Sequence, residues 1–181
     1  MNPFSVKSTN IEGCFVIQPK VFSDHRGKFV KVFNSDSFSE LNLMSSFEEE
    51  YYSVSKKGVL RGLHFQTPPD AHIKLVTCIE GKIIDVVVDL RKKSSSYLKV
   101  FSLEINSDLG NMLYVPEGLA HGFYTLSEEA IFLSMNSKKY SPECDNGIKW
   151  NSIDFDWPDK TPIVSEKDDN MPLLKNFNSP F

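Results

Sequence analysis

From Ile83 to Leu90 the residues alternate, with Ile84, Val86, Val88 and Leu90 on one face and Asp85, Val87 and Asp89 on the other. A period of two is the pattern of a strand, because successive side chains of extended backbone point to opposite sides. The signature recurs at short intervals. Phe101, Leu103 and Ile105 alternate with Ser102 and Glu104, and Met112–Val115, His121–Leu126 and Ile131–Met135 are further short apolar runs. Turn signals separate them: Glu80-Gly81, Asp108-Leu109-Gly110, Pro116-Glu117-Gly118 and the polar Ser127-Glu128-Glu129. Connections this short join antiparallel neighbours, so the chain is expected to be an all-β sandwich or barrel. The 14 Phe, 6 Tyr and 2 Trp favour strands as well. Helix is expected only at Asp36–Leu43 and Ser165–Leu174, and Lys175–Phe181 reads as an extended tail.

The 181 residues show no repeat, low-complexity tract or linker, which predicts a single domain over 1–181. Exposed edges of a many-stranded barrel are commonly covered by dimerisation, so a homodimer is expected. No run approaches the ~18 apolar residues of a membrane span. The N-terminal MNPFSVKSTN has no apolar core, and the expectation is a cytoplasmic protein without membrane partners. A net charge of −4 argues against nucleic acid as a partner. Cys14, Cys78 and Cys144 are odd in number and unpaired in spacing, as expected of reduced thiols.

Three polar clusters stand out against this apolar frame. In Leu60-Arg61-Gly62-Leu63-His64-Phe65-Gln66, strict alternation puts Leu60, His64 and Gln66 on one face and Arg61 and Leu63 on the other. A bulge at Gly62 would break that parity and bring Arg61 and His64 together. In Ala71-His72-Ile73-Lys74-Leu75-Val76, His72 and Lys74 share a face; a lysine flanked by these residues and facing a barrel interior is a buried cation awaiting an anion. In Pro116-Glu117-Gly118-Leu119-Ala120-His121-Gly122-Phe123, a histidine follows a turn. The histidines are His25, His64, His72 and His121, with no His-x-His, so no metal site is expected. Arginine is scarce, and both Arg26 and Arg61 precede a glycine. The guanidinium is suited to bidentate grip on phosphate, which makes these two candidate anion contacts.

Read together, the motifs resemble the dTDP-4-dehydrorhamnose 3,5-epimerase family of RmlC-like cupins. They run in order from Asp24-His25-Arg26-Gly27-Lys28-Phe29 through Gly58–Gln66, Lys74-Leu75-Val76, Gly81–Arg91 and Val115–Phe123. Tyr140-Ser141-Pro142-Glu143, Gly147-Ile148-Lys149-Trp150-Asn151, Asp156-Trp157-Pro158 and Ser165-Glu166-Lys167-Asp168 complete the series. The resemblance implies a cupin jelly roll with short peripheral helices, a homodimer, and an epimerase that uses neither metal nor organic cofactor. The implied substrate is a nucleotide-diphosphate-linked 4-keto-6-deoxyhexose, inverted at C3, C5 or both in deoxysugar and surface-polysaccharide synthesis. By the same resemblance His64 is the base, Asp168 orients it, and Lys74 lies beside the keto oxygen. Arg61 and His121 match further active-site positions, and Arg26 matches a diphosphate contact across the dimer interface.

These residue types suit the reaction. A C4 ketone acidifies the protons on C3 and C5, since the carbanion is an enolate. Histidine is the residue type whose ordinary pKa fits a base at neutral pH, and a nearby carboxylate fixes its tautomer. A preorganised cation at the C4 oxygen stabilises the enolate by a few kcal/mol. Inversion also requires a donor on the opposite face, and here the chain departs from the family. Ser134 stands where the family has a tyrosine, and Glu49 and Tyr51 stand where it has a Gln-x-Asn pattern. A serine hydroxyl is far weaker than a phenol of pKa ~10. Three readings of that position are open: Ser134 positions a water, or Tyr51, Tyr52, Tyr124 or Tyr140 reaches in from elsewhere, or Ser134 only makes room for a different substrate or pose. The alternatives are a single-centre epimerase of another nucleotide sugar, such as a CDP-linked one, and a non-catalytic cupin that binds sugar nucleotides.

Overall fold

A computed structural model describes residues 2–181. The strands are β1 (Phe4–Ser8), β2 (Phe15–Pro19), β3 (Val21–Asp24), β4 (Gly27–Val30), β5 (Glu49–Lys56), β6 (Leu60–Gln66) and β7 (Lys74–Glu80). They continue with β8 (Lys82–Asp89), β9 (Val100–Asn106), β10 (Met112–Val115), β11 (Leu119–Thr125), β12 (Glu129–Asn136) and β13 (Asp145–Gly147). Two short helices, α1 (Ser35–Glu40) and α2 (Glu166–Asp169), flank them. Two sheets, ordered β1-β2-β10-β7-β12-β5 and β13-β6-β11-β8-β9, form the cupin jelly roll expected from the sequence. Their strands pair antiparallel throughout. Among the described residues no helix is long and apolar enough to cross a membrane.

The sequence pattern explains three separate apolar layers. Ile83 and Val87 of β8 face inward and meet Val76, Leu113, Phe123 and Phe132 between the sheets. Val86, Val88 and Leu90 face outward, where Ile148, Trp150, Ile153 and Trp157 cover them. The central strand β8 is therefore apolar on both faces, as a strand buried on both sides must be. On the outer face of the six-stranded sheet, Phe38 of α1 packs fully buried over Met112, Ile17 and Leu75. Burying such a side chain contributes about 2–3 kcal/mol. Asn34 starts α1 by accepting the Ser37 amide at 3.0 Å, which satisfies one of the free amides of the first turn.

Two expectations change at the C-terminus. The helical pattern over Ser165–Leu174 yields a single turn, α2, capped by Ser165 Oγ, which accepts the Asp168 amide at 3.1 Å. Pro172, without an amide hydrogen, suits no longer helix there. The segment Lys175–Phe181 is no free tail: Phe177 and Phe181 pack on Phe65 with ring centroids 5.2 and 5.9 Å away. Strands β3 and β4 form a hairpin of their own, with Phe22 50 % and Phe29 63 % exposed. Lys28 ties that hairpin to the Ser107 carbonyl at 2.6 Å.

Candidate active site

One end of the sandwich is filled by the inner apolar layer; the other encloses a cavity of ≈ 760 Å³. Phe123 and Phe132, stacked at 4.4 Å between centroids, belong to both and form its floor. Its walls are the inward faces of β5, β6, β7, β11 and β12, and α2 closes one side.

The β6 wall carries a bulge. Arg61 pairs with Phe123 and His64 with His121, so Gly62 and Leu63 together face Gly122 alone. Strict alternation is thereby broken: Arg61 lines the cavity with His64 and Gln66, while Leu60 packs into the outer layer with Leu63. The contact demands glycine. Gly62 has φ +123°, and a Cβ there would stand 2.6 Å from Gly122 Cα.

The bulge also turns the Gly62 amide toward Asp168, whose Oδ2 accepts it at 3.1 Å. The other oxygen, Oδ1, lies 2.6 Å from His64 Nε2. Burial pushes the Asp168 carboxyl up, but the hydrogen bond and charge of His64 and the Gly62 amide more than offset this, leaving it below its ordinary value. The ionised carboxylate only accepts, so Nε2 of a neutral His64 carries the proton and Nδ1 holds the lone pair.

Lys74 is 8 % exposed, with its ammonium 3.4 Å from the His64 carbonyl oxygen. Among the described residues no carboxylate is within ion-pair distance of it. Burial lowers its pKa to about 8, against the weaker opposing pull of Asp85 and Asp145. Beside it His72 is pushed down to about 4 by burial and by the Lys74 charge. The Arg61 guanidinium is held by neutral acceptors, Ser55 Oγ at 2.9 Å and the Val54 carbonyl at 3.3 Å. Among the described residues neither Arg61 nor Lys74 is ion-paired with a carboxylate, an environment for an anionic ligand.

His121 is buried and its Nε2 lies 2.8 Å from Asp85 Oδ2. Sequence reasoning missed Asp85 as a site residue. Its signal was an acid on the same face as Val87, in a strand whose every face is buried. Asp145, Lys167 and Asn136 were missed too; they lie on loops, short elements or strand ends where alternation carries no information.

Glu49, Tyr51 and Ser53 alternate inward along β5 and line the cavity. Glu49 accepts from the Tyr140 amide and from Asn136 Nδ2, each at 3.3 Å. Ser134 is fully buried on the inward face of β12, between Phe132 and Asn136 and directly across the β5–β12 register from Tyr51, and donates to Asn136 Oδ1 at 3.0 Å. Of the other tyrosines, Tyr124 packs in the outer layer, and Tyr52 is 67 % exposed on the outward face of β5. Tyr140 reaches the cavity but its hydroxyl donates to Asp145 Oδ2 at 3.0 Å. Arg26 lies outside this chain's cavity, at the tip of the β3–β4 hairpin, paired with Asp24 at 2.6 Å.

The chain is similar in sequence and fold to known proteins. The family model described as dTDP-4-dehydrorhamnose 3,5-epimerase matches residues 8–176. A dTDP-4-dehydrorhamnose 3,5-epimerase of Shigella flexneri is 41 % identical over 169 residues, covering 92 % of this chain and 93 % of the relative. The crystal structure of the Bacillus anthracis dTDP-4-dehydrorhamnose 3,5-epimerase, with TDP and PPi bound, is 37 % identical at a TM-score of 0.91. That match covers 94 % of this chain and 99 % of the other. A Legionella pneumophila dTDP-6-deoxy-D-glucose-3,5-epimerase in complex with dTDP-4-keto-L-rhamnose is 32 % identical at a TM-score of 0.92, covering 97 % and 95 %.

Proposed function

The chain belongs to the dTDP-4-dehydrorhamnose 3,5-epimerase family, an isomerase of deoxysugar biosynthesis acting on a nucleotide sugar, and on that premise we propose how its cavity works. The cavity binds a nucleotide-diphosphate-linked 4-keto-6-deoxyhexose. His64 Nδ1 removes the proton from a carbon beside the C4 ketone, at C3, C5 or both. Asp168 holds the imidazole in the required tautomer and supports the imidazolium that forms. The Lys74 ammonium faces the C4 oxygen and stabilises the enolate, and His121 lines the cavity beside His64 on the opposite wall. Arg61, free of carboxylate partners, attracts the diphosphate.

One observation carries this reading: a histidine fixed by a buried carboxylate at 2.6 Å, with an unpaired buried lysine 3.4 Å from that histidine's own carbonyl. A base and an electrophilic cation at adjoining positions are what proton abstraction next to a carbonyl requires.

The working unit is a homodimer. An isolated two-stranded hairpin is marginal in water, yet β3–β4 exposes Phe22 and Phe29. A second copy of the chain would cover them and receive Arg26 near its diphosphate site. A reducing cytoplasm suits Cys14, Cys78 and Cys144, all free and buried.

The test is proton NMR in deuterated water with dTDP- and CDP-linked 4-keto-6-deoxyhexoses. Deuterium is expected at C3 or C5, and His64→Ala is expected to abolish its entry. Binding without exchange for every sugar would leave a non-catalytic cupin.

A further inference from the structure

Inversion needs groups on both faces of the sugar ring, and His64 serves only one. His64 projects from β6, in the five-stranded sheet; the wall facing it across the cavity is the six-stranded sheet. Facing sheets lie about 10 Å apart, room for one ring between their side chains. On that far wall the inward residues near the cavity are Lys74 of β7, with His72 just before it, Glu49, Tyr51 and Ser53 of β5, and Phe132 and Asn136 of β12. Lys74 is the cation for the C4 oxygen, and His72, pushed down to about 4 by burial, carries no spare proton at neutral pH. Glu49 and Asn136 hold each other, and Phe132 has no proton to give. Among the described residues the Ser53 hydroxyl has no hydrogen-bond partner, but an aliphatic hydroxyl is too weak an acid for the task.

Tyr51 remains. Its cross-strand neighbour Ser134 is small and fully buried, so the space beside the β5 backbone is left for the tyrosine ring. Side chains directly opposite on one face of paired strands stand about 4.5–5.5 Å apart at Cβ. Tyr51 lines the cavity from β5, level with Ser134, and is 44 % exposed. Desolvation by the surrounding wall raises its pKa, nearby Ser134 and Asn136 pull it back in part, and Glu49 raises it further. The phenol is therefore protonated at neutral pH, the form in which a donor must wait.

We propose that Tyr51 is the proton donor opposite His64, delivering hydrogen to the far face of the enolate. The inference rests on the epimerase reading above. In the step, His64 takes the proton from carbon, the C–H electron pair becomes the C=C bond of the enolate, and the carbonyl π pair moves to the C4 oxygen. The oxygen pair then re-forms C=O, and the C=C pair makes a new C–H bond on the far face as the Tyr51 O–H bond breaks. One imidazolium and one phenolate remain, and proton exchange with solvent restores both.

The experiment follows deuterium entry and inversion separately in Tyr51→Phe, which keeps the ring and removes the donor. Base-side chemistry alone exchanges the carbon-bound hydrogen with solvent and returns it to the same face. Tyr51→Phe is therefore expected to incorporate deuterium within a few-fold of the wild-type rate while inversion falls about 100-fold or more. Inversion at the wild-type rate would overturn the assignment. So would loss of exchange together with inversion, since Tyr51 would then not be separable from the base. Loss of inversion in Tyr140→Phe with Tyr51→Phe unaffected would move the donor to Tyr140. Wild-type protein that neither exchanges nor inverts would sink the epimerase reading itself, an outcome distinct from the other three.

Discussion

Asp168 Oδ1 meets His64 Nε2 at 2.6 Å although the two residues are 104 positions apart, and its second oxygen receives the Gly62 amide two residues before that histidine. One carboxylate thus fixes both the base and the bulge that presents it.

Replacing Asp168 by Asn tests the orienting role. The amide has nearly the same shape, but it no longer requires Nε2 to carry the proton, so the lone pair at Nδ1 is not secured. Turnover is expected to fall roughly 10²–10⁴-fold with KM little changed. Steady-state kinetics decide it, and a threefold effect or less would leave Asp168 with no part in the base.

Lys74 predicts a basic limit to activity and a stability cost. Its ammonium is lost as pH rises through about 8, below its ordinary 10.5, so turnover should decline over that range. The sign for stability is the reverse. Below about 8 both folded and unfolded chains carry the charge and the burial penalty is complete; between about 8 and 10.5 only the unfolded chain binds the proton, and the penalty is relieved. Lys74→Met should therefore be more stable than wild type at pH 7, by on the order of 3 kcal/mol, while losing about 10²–10³ in turnover. Urea unfolding at pH 7 and pH-rate profiles read the two effects independently.

His72 governs an acid-side loss of stability. The folded chain resists its protonation down to about 4, whereas the unfolded chain accepts the proton near the ordinary 6.5. Unfolding therefore becomes easier as pH falls through that window, and stability is regained as pH rises. His72→Gln should lose less stability than wild type between pH 7 and 4.5, by about 2 kcal/mol. Parallel slopes for the two proteins would refute it.

Gly62→Ala should damage stability and chemistry together. A Cβ at Gly62 meets Gly122 Cα at 2.6 Å and the His121 carbonyl at 2.8 Å, and φ +123° disfavours any L side chain. The expected cost is roughly 3 kcal/mol in urea unfolding. Folded protein should also show weakened exchange at the substrate carbon, because the Asp168 contact depends on the Gly62 amide.

The strand pattern was legible because alternation is a local property. The Ile83–Leu90 alternation matches β8, with its two faces in two different apolar layers, and Met112–Val115 is β10 residue for residue. His64, Lys74 and His121 were legible as well, as polar residues inside strands otherwise made of apolar ones. Strict alternation failed at Arg61, which the Gly62 bulge turns into the cavity. Asp85 went unnoticed as a site residue, since one buried acid reads like any other until its histidine partner is known.

Sequence alone determined the all-β class, the antiparallel order of short strands, the family resemblance and the histidine, lysine and arginine around which the site is built. All of these depend on neighbours within a few residues or on motifs read in chain order. Tertiary structure alone decided the relationships between distant strands. It set Tyr51 across from Ser134, though they are 83 positions apart by number, because β5 and β12 pair at the edge of one sheet. It put His64 on the facing sheet, and it left Arg26 on a hairpin away from its own cavity. Register and sheet packing are settled by burial summed over the whole chain, and no local pattern encodes that sum.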